Sequence, residues 1–209
     1  MTDFAALPLK DFLDRLASDA PTPGGGTAAA VTGAMGAALV EMVAALTLSK
    51  DKFADSHAAV RVIADAAAAA RAELLALARE DAEAYDAVVA ARKLPKGTDE
   101  EKAARSGALA AANRRATEAP MHTARAAVKL LALVPDLVEK GNPNAASDAG
   151  SSALLLEASC VAALLNVGIN LPGIADPAFV GEMQRKTAEL TEESQRLRGQ
   201  VLSLVRQKF

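Results

Sequence analysis

The sequence predicts an all-α protein: a single domain of long, mostly antiparallel helices that pack as a bundle and dimerise. Good helix formers (Ala, Leu, Glu, Arg and Lys) fill long stretches between a few breaks containing Gly and Pro. No stretch alternates β-branched and polar residues as a strand would. The 209 residues are 51% hydrophobic and 23% charged, which suits one domain over 1–209 with its own core.

Four breaks divide the chain: PTPGGG (21–26), LPKGTD (94–99), GNPN (141–144) and LPGIADP (171–177). Six helices are predicted between them, covering 9–18, 25–50, 55–93, 99–134, 147–169 and 177–208. The third would be about 58 Å long at 1.5 Å per residue, too long for a compact monomer of this size to cover. We therefore expect a homodimer.

The second helix contains TAAAVTGAMGAALVEMVAALTL (27–48), which is long enough to span a bilayer. Its apolar character comes largely from Ala and Gly, and its one charge, Glu41, would be costly in lipid. We expect a helix buried in a bundle or in a subunit interface, and no membrane partner. A salt bridge is the simpler account of Glu41, and a role in a polar cavity is the alternative.

Local signals place the ends of the later helices. Thr98 with Glu101 three residues on is a capping box, and Ser147 precedes an apolar run as an N-cap would. Pro120 lies inside the fourth predicted helix, so we expect it to bend that helix or split it in two.

Composition disfavours several function classes. The net charge is −3 with mixed signs, and there is no Trp and only one Tyr, so nucleic-acid binding is not expected.

Cys160 is the only cysteine, which fits a reducing compartment, the cytoplasm. We expect a buried, inert thiol rather than a nucleophile. His57 and His122 lie far apart without a second ligand at metal spacing, so no metal is predicted.

One carboxylate interrupts an apolar stripe on helix 55–93. The stripe runs at three- and four-residue steps through Leu74, Leu77, Ala78, Tyr85 and Val88. Asp81 falls on the same stripe, where a charge is costly unless it is paired or needed, and where burial would raise its pKa. A structural hydrogen bond or ion pair with another helix and a role in a site are both open.

The fifth helix is apolar nearly all round but carries a polar line. Ser152, Ser159 and Asn166 recur every seven residues, Asn170 follows one turn later, and Asp148 begins the line. Such groups need partners inside the fold or a polar ligand. Hydrogen bonds between helices are one interpretation, and a ligand contact, with Asn166 as a candidate, is the other.

The loop Gly24–Gly26 opens the second helix. A glycine-rich turn at a helix start exposes backbone N–H groups at the positive end of the helix dipole, which favours an anionic or strongly polar ligand group. A plain hinge is the alternative. The loop is neither a Walker A motif nor a dinucleotide fingerprint, because no strand precedes it.

Four blocks of sequence together resemble the cyclodeaminase/cyclohydrolase family. They are APTPGGGTAAAVTGAMGAALVEMVAALT (20–47), DAEAYDAVVAARKLPKGTDEEKAAR (81–105), KGNPNAASDAG (140–150) and LLNVGINL (164–171). That family comprises the C-terminal half of formiminotransferase-cyclodeaminase and free-standing bacterial methenyltetrahydrofolate cyclohydrolases. The resemblance covers about residues 9–208 and implies an all-helical homodimer.

The resemblance also implies a substrate, a tetrahydrofolate carrying a one-carbon unit, and no cofactor beyond it. The catalytic aspartate of the family falls on Asp81, which we expect to move the proton, and Asp148 is its rival. Implied substrate-binding positions are Gly24, Gly25, Gly26, Thr27, Lys93, Lys96, Asn142, Asn144, Ser147 and Asp148. The reaction is either methenyl hydrolysis to formyl or formimino conversion to methenyl with loss of ammonia. A non-catalytic helical dimer or scaffold, binding a partner through the same surface, is the competing class.

Overall fold

The computed structural model describes residues 4–208, which form an all-α bundle without strands, as the sequence predicts. Each of the six predicted helices has a counterpart. The α-helices are α1 (Leu9–Leu16), α2 (Gly25–Leu48), α3 (His57–Arg92), α4 (Asp99–Leu131), α5 (Val134–Lys140), α6 (Ala146–Asn170) and α7 (Pro177–Arg206). Short 3₁₀ turns lie before α1 and between α2 and α3, α5 and α6, and α6 and α7.

The helix α2 lies at the centre, antiparallel to both α3 and α6. A Cβ built on Gly33 would lie within 3.1 Å of Leu74 on α3 and 2.6 Å from the Ser159 hydroxyl on α6. Glu41 on α2 accepts two hydrogen bonds from the guanidinium of Arg71 on α3, at 2.5 and 3.2 Å, which confirms the salt-bridge interpretation. Helices α3, α4, α6 and α7 complete one main core around these contacts.

One helix-end prediction is wrong, and one of the two outcomes expected at Pro120, a split helix, does not occur. Ser147 is not the N-cap of α6, because the helix begins at Ala146 directly after a 3₁₀ turn; the Asn142 side chain instead accepts from the Asn144 N–H at 3.1 Å. Pro120 does not split α4, which runs unbroken from Asp99 to Leu131. By contrast, the capping box of Thr98 and Glu101 is confirmed in both directions.

The sequence analysis missed α5, a seven-residue helix with Pro135 in its first turn. Seven residues make only two turns, too few for a helical period to emerge. Its hydrophobic residues Val134, Leu137 and Val138 are buried, so tertiary packing rather than propensity holds it.

By length and hydropathy, α2 and the segment 143–173 could each cross a membrane, although the core helices of soluble proteins pass the same test. About half of each apolar window is buried inside the bundle, where these two helices pack against each other. Cys160 on α6 is buried too, which confirms that part of the prediction, and its burial raises the thiol pKa to about 11, which disfavours the reactive thiolate.

Candidate active site

The carboxylate of Asp81 lies against the first turn of α2. The Thr27 hydroxyl donates to Asp81 Oδ2 at 2.9 Å, joining residues 54 positions apart in sequence. The N-cap of α2 is Gly24, which has no side chain to accept from the first N–H groups of the helix. Asp81 therefore places a negative charge from α3 at the positive end of α2.

The glycines of the loop make this approach possible. A Cβ on Gly26 would lie 2.1 Å from Asp81 Oδ1, closer than any real contact, so only glycine leaves room for the carboxylate there. A Cβ on Gly25 would lie 3.3 Å from the side-chain nitrogen of Asn166. The loop thus brings Asp81, Thr27 and Asn166 together from α3, α2 and α6.

Burial shifts the protonation equilibrium of Asp81. Loss of solvent raises the pKa of Asp81 above its ordinary value, and hydrogen bonds from the hydroxyl and backbone of Thr27 act in the opposite direction. No ion pair among residues 4–208 includes Asp81. The side chain remains partly exposed. A carboxylate that is partly desolvated, unpaired and still reachable is suited to proton transfer.

The polar line of α6 is only partly satisfied: two members bond within their own helix, and the buried Ser159 hydroxyl has no hydrogen-bond partner among the described residues. Ser152 donates to the carbonyl of Ala149 and Asn166 to that of Ala162. Only Asn170 forms the hydrogen bond between helices that the sequence suggested, to the Ala116 carbonyl at 2.6 Å. The Asn166 side chain is the member of the line that lies beside Gly25, next to the glycine that Asp81 approaches.

Tyr85 departs from the stripe predicted on α3. Leu74, Leu77, Ala78 and Val88 are buried as expected, but Tyr85 is 42% exposed. The ring lies one turn beyond Asp81, past the point where α2 begins, so α2 no longer covers that face. The sequence does not reveal this, because where a neighbouring helix starts is a tertiary feature.

A second group of predicted binding residues lies at the other end of α2. The backbone N–H of Asn142 donates to the Thr47 hydroxyl at 2.9 Å, and its side chain to the Leu46 carbonyl at 3.4 Å. Thr47 is twenty residues along α2 from Thr27, about 30 Å away. Asn144, Ser147 and Asp148 follow Asn142 on the same end, so one chain does not bring them to Asp81.

Lys93 and Lys96 are exposed just beyond the end of α3. Lys93 comes twelve residues after Asp81, about 18 Å along the helix axis. Among residues 4–208, no group of three or more His, Cys, Asp or Glu side chains is placed to hold a metal ion.

Comparison with known proteins gives one consistent result. The model of the family described as formiminotransferase-cyclodeaminase matches residues 8–189. A methenyltetrahydrofolate cyclohydrolase of Methylorubrum extorquens is 42% identical over 200 residues, 96% of each chain. A formimidoyltransferase-cyclodeaminase of Sus scrofa is 35% identical over 187 residues, which are 90% of this chain and 35% of that protein.

A solved structure agrees with the sequence matches. The crystal structure of formiminotetrahydrofolate cyclodeaminase from Thermotoga maritima superposes with a TM-score of 0.87, at 34% identity and over 97% of both chains. The family model covers most of the chain, and the relatives extend over nearly all of it. The chain therefore belongs to the formiminotransferase-cyclodeaminase family.

Proposed function

We propose that this protein is a one-carbon tetrahydrofolate enzyme that acts on the carbon at N5 and N10, with Asp81 moving the proton. The observation that carries the proposal is the Asp81 carboxylate: partly buried, unpaired by any base, raised in pKa and held at the start of α2. Membership of the family supports a folate substrate.

The first candidate reaction is methenyltetrahydrofolate hydrolysis, favoured by the 42% identity over 96% of both chains to a protein of that name. Asp81 accepts a proton from water as the water oxygen bonds to the methenyl carbon, giving a tetrahedral adduct. One C–N bond then breaks, the freed nitrogen takes a proton, and a formyl group remains. The negative carboxylate also stabilises the positive amidinium that precedes attack.

The second candidate is formiminotetrahydrofolate cyclodeamination, favoured by the solved relative of that name. Here N10 attacks the formimino carbon, a tetrahedral adduct forms, and ammonia leaves as the methenyl bridge closes. Asp81 takes the proton from N10 and returns it to the leaving nitrogen. Both reactions need one carboxylate beside the same carbon, so Asp81 serves either.

The residues around Asp81 hold the reacting end of the substrate. Backbone N–H groups of Gly24–Gly26 and the side chains of Thr27 and Asn166 surround the carboxylate and offer polar contacts to the ring system. The proposal needs no metal and no cofactor beyond the folate itself. It places the enzyme in the cytoplasm, where its single cysteine stays reduced.

We also propose a homodimer, with a single domain in each copy. Helices α2 and α6 lie side by side and leave one large apolar surface exposed, here called the α2–α6 face: Met35, Met42, Leu46, Leu154, Leu165 and Ile169. Clustered exposed apolar side chains of this kind mark interaction surfaces, and a two-fold axis would cover both copies at once.

Antiparallel pairing of the two faces would also complete the site. It carries the Asn142 end of one chain, about 30 Å from Asp81 in its own copy, toward Asp81 of the other. In this arrangement the partner's Asn144, Ser147 and Asp148 contact the substrate, and Asp148 supports Asp81 rather than replacing it.

Two parallel assays test the function. Purified protein is given methenyltetrahydrofolate while loss of methenyl absorbance is recorded, and separately formiminotetrahydrofolate while ammonia is measured. Activity in either assay supports the proposal and selects the reaction. No activity in both, with no thermal shift at high concentrations of reduced folate, would favour the non-catalytic scaffold.

A further inference from the structure

Helix α3 extends well beyond the start of α2. The Glu41–Arg71 and Thr27–Asp81 contacts show that the two helices run in opposite directions, so α2 begins beside Asp81. α3 then continues to Arg92, eleven residues and about 16 Å further. Beyond the start of α2, Tyr85 and Arg92 are exposed, whereas Val88 between them is buried.

Helical geometry puts three polar or aromatic groups in line on that side. Tyr85 comes four residues after Asp81, and Arg92 comes eleven after it, close to three complete turns. Both therefore lie on the Asp81 side of α3. Val88, seven residues after Asp81, also lies close to this line but is buried with Ala84 and Ala91, on its far side, against α4. Glu83 and Asp86 fall on the opposite side of α3.

Tyr85 supplies a flat surface next to the reacting end. It is the only Tyr of a chain without Trp, and it is 42% exposed although its neighbours Ala84 and Val88 are buried. An exposed aromatic face beside a partly buried carboxylate can stack against a planar ring of a ligand.

Arg92 supplies a free positive charge at the far end. Its guanidinium forms no ion pair among residues 4–208, and its backbone carbonyl accepts a hydrogen bond from the Arg105 guanidinium at 3.2 Å. Glu101, at the start of α4, accepts from the N–H groups of Gly97 and Thr98. Unpaired guanidinium groups bind carboxylates well, in two-point contacts.

We propose that Tyr85 and Arg92 position the part of the folate beyond the reacting carbon: the aminobenzoyl ring stacks on Tyr85, and a carboxylate of the glutamate tail binds Arg92. This inference rests on the proposed function and adds two substrate-positioning residues to it. Lys93, which the family resemblance suggests, lies one residue further and about a third of a turn off this line.

The test compares two forms of the substrate: the natural one, and one whose glutamate is replaced by a neutral amide. Arg92→Gln is expected to raise KM for the natural substrate about 10- to 100-fold with kcat unchanged, the size of a lost charged hydrogen bond. For the neutral amide, wild type and Arg92→Gln should have equal KM. The control Arg61→Gln removes an exposed charge on the same helix, 20 residues from Asp81, and should change neither KM.

Tyr85 is tested in the same assay. Tyr85→Leu should raise KM about 2- to 10-fold for both substrates, because stacking is lost whatever the tail, while Tyr85→Phe should keep wild-type KM. An unchanged KM for the natural substrate in Arg92→Gln, or an equal rise for both substrates, would overturn this inference alone. Failure of the wild-type enzyme to turn over either substrate would instead overturn the proposed function on which it rests.

Discussion

Asp81 combines the two roles that the sequence analysis left as alternatives, a structural contact between helices and a candidate role in proton transfer. Its carboxylate receives the Thr27 hydroxyl and lies at the start of α2, where the N-cap Gly24 has no side chain to cap the helix. The same position strips water from the carboxylate and raises its pKa. The two roles are therefore compatible. A partly desolvated carboxylate that caps α2 can still gain and lose a proton.

The raised pKa predicts how Asp81→Asn alters stability with pH. The folded state holds the Asp81 proton more tightly than the unfolded chain does, so the wild type loses stability, relative to the variant, as the pH rises from the ordinary Asp pKa to the raised one. Above that window the difference is constant. Urea unfolding of both proteins across this range measures it. If the wild type instead became more stable relative to the variant as the pH rises, the assigned direction of the Asp81 pKa shift would be contradicted.

Substitution at Gly26 should act through Asp81. In Gly26→Ala the new Cβ would meet Asp81 Oδ1 at 2.1 Å, so the carboxylate must move from the start of α2. We expect kcat to fall about 100-fold or more, since a displaced base loses its alignment. Gly24→Ala, whose Cβ would meet only the Pro21 carbonyl at 3.9 Å, is the matched comparison and should have a much smaller effect on kcat. Equal losses in the two variants would contradict the geometric account.

At the scale of helices, local signals in the sequence predict most of the fold. The capping box at Thr98 and the glycine loop before α2 are confirmed because their chemistry is contained in a few adjacent residues. The N-cap expected at Ser147 and the split considered at Pro120 are absent because the outcome at these positions depends on the surrounding structure. The true start of α6 depends on a 3₁₀ turn capped by Asn142, and α4 continues through Pro120, which is itself buried in the bundle.

Replacing glycine by alanine inside a helix tests this packing, because the change in unfolding free energy should be negative at a crowded glycine and positive at an uncrowded one. A Cβ on Gly36 would lie 2.9 Å from Leu156 and 3.2 Å from the Ser152 carbonyl, where α2 and α6 are in close contact. We expect Gly36→Ala to lower the free energy of unfolding by about 1–3 kcal/mol through overpacking.

The matched variant is Gly107→Ala on α4, where the new Cβ meets nothing within 4 Å. It should raise the free energy of unfolding by about 0.5–1 kcal/mol, because alanine loses less backbone entropy in a helix. Urea denaturation checks both values. A stabilising Gly36→Ala would show that α2 and α6 do not pack as closely as described.

For the whole molecule, the sequence predicted the class of fold and singled out Asp81 as a candidate, but not how the residues around it are assembled. A carboxylate on an apolar stripe can be found by counting along one helix. The bond from Thr27, the exposure of Tyr85 and the distance of Asn142 from Asp81 each depend on where a second helix begins or ends. Those features need the packed bundle.

The proposed dimer predicts a linked loss of assembly and activity. Met42→Glu places a charge in the middle of the α2–α6 face, so the variant should be monomeric in sedimentation velocity while keeping its helical content by circular dichroism. Turnover should fall when the dimer is lost, because in the proposed arrangement residues of the partner subunit contact the substrate. Val62→Glu, an exposed apolar position on α3 outside that face, is the control and should remain dimeric and active. A monomeric Met42→Glu with full turnover would refute the shared site.

The most direct measurement of the central claim is the turnover number of Asp81→Asn on the reduced folate that the wild type converts, with folate binding and thermal unfolding followed in the same samples. The amide keeps the size of the side chain and can still accept from Thr27, but it cannot take a proton. We predict that kcat falls about 10²- to 10⁴-fold while binding and folding persist. A folded variant that turns over at close to the wild-type rate would contradict the account.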